Sequence, residues 1–149
     1  CEQLFRLVQP AVAVFGEKDW QQFQLMRVLV RQEGLPVEIE PGPTVRSPEG
    51  LALSSRNRFI PEDRHDDALA LSRGLVASRD GATVGEGEAI LHRTLREAGV
   101  EWDYATIRDP ESLRPLDPDL DASTRARALV AARIGDVRLL DNMPWGAWS

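Results

Sequence analysis

Ala11-Val12-Ala13-Val14-Phe15 is an uninterrupted apolar run, the pattern of a strand buried on both faces of a parallel sheet. Gly16 ends it. Asp19 is a good helix N-cap, and Gln22 three residues later completes a capping-box pattern. Phe23, Met26, Leu29 and Val30 then recur at helical spacing until Gly34, with Pro36 just beyond. Val37-Glu38-Ile39-Glu40 reads as the next strand. Strand, tight turn, helix and strand make a βαβ unit, and such a parallel pair calls for further strands beside it. Nothing after residue 46 supplies them, so we expect them from upstream sequence or from a partner. Leu4, Leu7 and Val8 sit at helical spacing and end at Pro10, and the chain opens on Cys1 instead of methionine. Both features lead us to expect a preceding segment.

A different architecture follows. Pro41-Gly42-Pro43 marks a turn, and Ser47 to Ile60 reads as a loop rich in turn residues and polar groups. Pro61 suits the first turn of a helix whose acidic start (Glu62, Asp63, Asp66, Asp67) complements the helix dipole. That helix would pack Ala68, Leu71, Leu75 and Val76 before Gly81. Thr83 and Glu86 form a second capping box, opening a helix with Ile90, Leu91, Leu95 and Ala98 that ends at Gly99. Three strand candidates follow: Glu101 to Arg108, Arg127 to Ile134, and Val137 to Asp141. Gly135-Asp136 between the last two is a hairpin signal. The fold class is therefore α/β. Residues 1–46 read as part of a parallel-sheet domain and 47–60 as a loop or linker. Residues 61–149 read as a small α+β domain with a three-stranded antiparallel sheet.

Charge excludes some partners. A net charge of −6 over 149 residues offers no basic surface for nucleic acid or an anionic membrane. No apolar run reaches the roughly 18 residues of a transmembrane helix. One cysteine excludes an internal disulfide and fits a reducing, cytoplasmic setting.

Two segments have the makings of a site. The 18 Lys and Arg residues include a single lysine, Lys18, within Phe15-Gly16-Glu17-Lys18-Asp19-Trp20-Gln21-Gln22. A compact ammonium on a flexible stem is not exchangeable with a planar guanidinium at a phosphate site. The helix N-terminus beside it attracts anions, Gly16 lets a ligand approach the backbone, and Asp19 could accept from sugar hydroxyls. Ligands of open α/β sheets bind at this end of the strands. The plainer alternative is that Asp19 only caps the helix, which leaves the pairing of Gly16 with the sole lysine unexplained.

The second segment is Gly50-Leu51-Ala52-Leu53-Ser54-Ser55-Arg56-Asn57-Arg58. Its two hydroxyls and two guanidinium groups can surround a polyphosphate, while Leu51 and Leu53 would anchor the loop. Alone, a serine–arginine loop is more often plain surface. Following one βαβ unit, the two segments support each other.

These two runs, with Pro43-Thr44-Val45-Arg46 between them and Arg138-Leu139-Leu140-Asp141-Asn142 near the end, closely resemble the pantothenate synthetase (pantoate–β-alanine ligase) family. The resemblance extends to about Asn142, with Trp20 where the family commonly has tyrosine. It matches nothing beyond, including Trp145 and Trp148. It implies a nucleotidyltransferase-superfamily ligase of coenzyme A biosynthesis, with a Rossmann-like ATP domain and a C-terminal lid. Pantoate carboxylate attacks the α-phosphate of ATP, and the β-alanine amine then displaces AMP. Mg2+ accompanies the ATP. By motif position, Lys18 contacts phosphates, Gly16 and Asp19 lie at the ribose, and Gln22 holds pantoate. Val45 offers backbone groups to adenine, Ser54, Ser55 and Arg56 close on the polyphosphate, and Glu17 and Leu53 complete the ATP-binding set. Lys18, Ser54, Ser55 and Arg56 are the catalytic candidates, and no residue is assigned to a metal.

The family's His-x-Gly-His motif belongs to an N-terminal half and is not in this sequence. His65 and His92 lack its spacing and read as solvated or structural. The resemblance therefore implies a C-terminal half with little or no ligase activity alone. The family homodimer forms through the N-terminal domain, which leaves self-association of this chain open. Two alternatives stand beside the ligase reading: a non-catalytic nucleotide-binding or regulatory module derived from the superfamily, and a dimerisation fragment that retains the motifs.

Overall fold

Glu2–Val8 forms a short helix, α1, and Val12–Gly16 forms strand β1 in the computed structural model, which describes residues 1–148. Helix α2 spans Trp20–Gln32, and strand β2 spans Glu38–Gly42. β1 and β2 pair in parallel, Val12 opposite Glu38 through Gly16 opposite Gly42. This βαβ unit, with α1 before it, is one of two compact units and covers Cys1–Thr44; the second begins at Val45.

Its core is incomplete. Phe5, Trp20, Phe23, Met26 and Val37 are buried, and Phe5 meets Phe15 edge-on with ring centres 6.3 Å apart. The expectation that β1 is buried on both faces fails here: Val12 and Val14 are 44% and 66% exposed, as are Leu4, Leu7 and Val8 to 58–83%. Within this unit the sheet has two strands, so only one edge of β1 is paired. Fully burying each such side chain would contribute about 1.5–3 kcal/mol.

β2 also runs further than expected, taking in Pro41 and Gly42. The bond from Glu38 N–H to the Ala11 carbonyl, and that from Glu17 N–H to the Gly42 carbonyl, show that even-numbered β2 residues face β1. Pro41 is out of phase with them, so its missing N–H falls on the open edge, where proline is tolerated.

The second unit has a closed core. Helix α3 spans His65–Ala77, entered through a tight 3₁₀ turn at Glu62–Arg64, and α4 spans Val84–Glu97. Strands β3 (Trp102–Arg108), β4 (Ala126–Ile134) and β5 (Val137–Trp145) form an antiparallel sheet in that order. Leu75, Leu91, Leu95, Ile107, Val130 and Ile134 are each fully buried in one cluster that spans helices and sheet. Gly135, at φ +59°, makes the β4–β5 turn. Val76, expected inside, is 55% exposed, and Ala98 caps α4 in solvent.

β5 extends four residues past Asp141 because of Trp145, which is fully buried and donates from Nε1 to the Ser78 carbonyl at 2.7 Å. Trp148 Nε1 reaches the Ala126 carbonyl, also at 2.7 Å, and Arg125 lies over its ring. Sequence reading found no role for either tryptophan.

Candidate functional site

Gly16, Glu17, Lys18 and Asp19 lie at the β1–α2 turn, and Gln22 lies in the first turn of α2. The Asp19 carboxylate accepts the Gln22 N–H at 3.1 Å, which fixes where α2 starts. Asp19 N–H donates to the Gly16 carbonyl, closing the turn. Gly16 is exposed, while Glu17, Lys18 and Asp19 are half-buried. A methyl group added at Gly16 would meet no other atom within 4 Å, and its backbone lies outside the left-handed region. No packing within this chain therefore demands glycine at this position.

Helix α4 is the contrasting case. Its first-turn amides Val84 and Gly85 donate to the Leu120 and Pro118 carbonyls, both at 2.8 Å. That helix start is already sealed by the loop that precedes β4.

The second segment opens as a small hairpin. Ser47 N–H donates to the Leu51 carbonyl and Leu53 N–H to the Val45 carbonyl, with Gly50 at φ +101° in the turn. Anchoring differs from expectation: Leu51 and Ala52 are buried, whereas Leu53 is half exposed. Leu51 and Leu53 share a face of the extended segment, so the difference marks where the packed surface ends and not a change of side. Val45 is exposed as well.

Beyond the hairpin the chain turns tightly. Ser54 Oγ accepts Arg56 N–H, the Ser54 carbonyl accepts Asn57 N–H, and Asn57 Nδ2 donates to the Ala52 carbonyl. Of the two arginines expected to face a ligand, Arg58 lies over the Phe59 ring, 4.7 Å from its centre. Ser55 and Arg56 are exposed, and their side chains form no hydrogen bond or ion pair among the described residues. Arg56 is thus the guanidinium of this segment without a side-chain partner among the described residues.

Arg46 is the functional-segment residue that sequence reading named in a motif but gave no role. Its Nη1 and Nη2 donate to both carboxylate oxygens of Asp141, at 2.6 and 2.9 Å. Further bonds reach the Gly50 and Asn142 carbonyls. Asn142 Oδ1 accepts in turn from buried Arg127 at 2.7 Å. No local pattern announces a partner 95 positions away.

The histidines are engaged elsewhere. His92 stacks on Trp102, and its Nε2 lies 2.7 Å from the Ala105 carbonyl. His65 Nε2 is 3.5 Å from Glu49. Among the described residues no three His, Cys, Asp or Glu side chains gather as metal ligands. Among the described residues no helix is long and apolar enough to cross a membrane.

Comparison with known proteins bears on these segments. The family model for pantoate–β-alanine ligase matches residues 1–144. Pantothenate synthetase from a Nocardioides species is 48% identical over 145 residues, which is 95% of this chain and 43% of that protein. The crystal structure of pantothenate synthetase from Thermus thermophilus superposes with a TM-score of 0.88 at 43% identity, covering 95% of this chain and 52% of that one. A Francisella tularensis pantoate–β-alanine ligase, complexed with β,γ-ATP and β-alanine, gives a TM-score of 0.66 at 27% identity over 96% of this chain and 47% of its own. The chain spans about half the length of the curated relatives it matches.

Proposed function

The chain belongs to the pantoate–β-alanine ligase family, and from that premise we propose that it supplies the C-terminal half of an ATP-dependent ligase joining pantoate to β-alanine. A pantoate carboxylate oxygen attacks the α-phosphorus, and the bond to pyrophosphate breaks. The β-alanine nitrogen then attacks the acyl carbon of the adenylate, loses a proton and expels AMP. No protein nucleophile is needed, so the residues act by positioning and by charge stabilisation at phosphorus.

In this reading Lys18 neutralises phosphate charge at the head of α2, with Gly16, Glu17 and Asp19 against the nucleotide and Gln22 on pantoate. Val45 offers backbone groups to the adenine, Leu53 belongs to the ATP-binding set, and Ser54, Ser55 and Arg56 close on the phosphates. Mg2+ arrives as part of the nucleotide substrate, held by phosphate oxygens. Residues 1–46 serve as part of the ATP domain, 47–60 as the phosphate loop and 61–149 as the lid. The observation that carries the proposal is that Ser55 and Arg56 project unpartnered from a hairpin whose neighbours Leu51 and Ala52 are buried. A glycine that no internal packing requires stands beside the sole lysine in support.

The exposed faces of Val12 and Val14 support a further part of the proposal, that strands of an N-terminal half complete the sheet and the active site. Reconstitution tests it. This chain alone should form no pantothenate, and adding the N-terminal half of a relative should restore synthesis and ATP-dependent pyrophosphate release. Synthesis that proceeds equally well with Lys18→Ala in place of the parent chain would reject the assignment.

A further inference from the structure

Asp141 is a carboxylate on the wrong side of a sheet. It lies opposite Val130, whose neighbours Ala128 and Ala132 face the helices in the main core, and its side chain is 4% exposed. An ionised carboxylate there needs a cation with matched geometry. Arg46 provides a fork that covers both oxygens, and the Asn142 N–H donates to Oδ1 at 2.7 Å, holding the carboxylate in place.

The fork's other bonds give it reach. Nη1 also donates to the Gly50 carbonyl at 3.1 Å and Nη2 to the Asn142 carbonyl at 3.3 Å. One guanidinium thus joins the edge strand β5 to the turn of the hairpin. Arg46 is bridged to Ala52, whose carbonyl holds Asn57 beyond the serine–arginine turn. Val45 precedes Arg46 directly, and Ser54–Arg56 lie between Ala52 and Asn57.

We propose that Arg46, locked by Asp141, is a positioning residue that sets the shape in which Val45 and Ser54–Arg56 meet the nucleotide. The inference rests on the nucleotide reading above. Arg46 itself touches no phosphate; it acts through the hairpin. Lysine cannot replace it, because one ammonium cannot span two carboxylate oxygens and two carbonyls in a plane.

Hydrogen exchange on the full 149-residue chain reads the clamp directly. Arg46→Lys and the isosteric Asp141→Asn should each accelerate the Ser47 and Leu53 amides about 100-fold by local opening, leaving β3–β4 amides such as Leu129 protected. With the N-terminal half present, calorimetric Mg-ATP affinity should fall about tenfold while pantoate affinity holds, a split that general destabilisation does not produce.

Unchanged Ser47 and Leu53 exchange in both variants would overturn the clamp, and so would equal acceleration at Leu129. Released amides with unaltered ATP affinity, where Arg56→Ala does weaken ATP binding, would overturn the positioning role and leave the nucleotide reading intact. ATP affinity indifferent to Arg56→Ala as well would locate the failure in the nucleotide reading, and the inference falls with it.

Discussion

Arg46 and Asp141, 95 positions apart, meet through paired hydrogen bonds of 2.6 and 2.9 Å at the edge of the antiparallel sheet. The arginine side chain is 22% exposed and the carboxylate 4%, so the pair is mostly removed from water. Such a pair adds little net stability when intact, yet losing one member strands the other charge.

Arg46→Ala removes the cation altogether, unlike Arg46→Lys, and should therefore destabilise the second unit by about 3 kcal/mol, because Asp141 is left buried and unpaired. Adding Asp141→Ala to that variant should recover part of the loss. Urea unfolding of the two single variants and the double variant measures the coupling, and additive losses would contradict it.

Lys18→Ala, assayed with the N-terminal half, should cut pyrophosphate release by about 100-fold or more, since charge at phosphorus loses its counter-ion. Lys18→Arg should not restore it, because the fork does not fit where a compact ammonium does. Arg56→Ala should also act on adenylate formation. If it impairs only β-alanine transfer from preformed adenylate, Arg56 has been assigned to the wrong half-reaction.

Two glycines separate packing from function. A methyl group on Gly87 would stand 2.8 Å from Ile107 Cδ1 and Trp145 Nε1 and 2.9 Å from the Ser78 carbonyl. Gly87→Ala should cost about 1–3 kcal/mol by overpacking. Gly16→Ala meets nothing and should leave the unfolding midpoint of this chain unchanged, while lowering ATP affinity in the reconstituted ligase. A drop in stability comparable to that of Gly87→Ala would show that Gly16 serves the fold.

Asp109 gives a pH test. The Ser112 hydroxyl and N–H, each at 2.7 Å, and the Glu111 N–H at 3.2 Å donate to Oδ1. The Ser112 hydroxyl most strongly, then these amides, hold its pKa below the ordinary value of 3.8. The folded state thus favours the carboxylate, so this stabilisation is present above the unfolded value and lost as pH falls through the lower folded one. Asp109→Asn should cost about 1 kcal/mol near neutral pH. Its deficit should shrink in urea titrations near pH 3, and a deficit that grows on acidification would reverse the sign assigned here.

Both helix caps and the β4–β5 hairpin were legible because each depends on neighbours within a few residues: Asp19 on Gln22, Thr83 on Glu86, and Gly135 on its own φ. The motif segments were legible for the same reason. Burial was less so. Ala11 to Phe15 has the composition of a doubly covered strand, yet Val14 is 66% exposed, since covering β1 takes elements that a local pattern cannot supply. Leu53 and Val76 were misjudged because periodicity identifies a face without saying where the packed surface ends. No local pattern announced that Arg58 would lie over the Phe59 ring.

By itself, then, the sequence determined which stretches are helix and strand and which residues resemble a ligase's nucleotide-binding segments. These follow from short-range backbone preferences and from chemistry carried within single motifs. Only the tertiary structure decided that Asp141 is the anchor of Arg46, that Trp145 closes the core on Ser78, and that Arg58 lies over the Phe59 ring. Each of those depends on groups brought together by chain folding. Nothing in the identity of a residue specifies which distant carbonyl or carboxylate will lie within 3 Å of it.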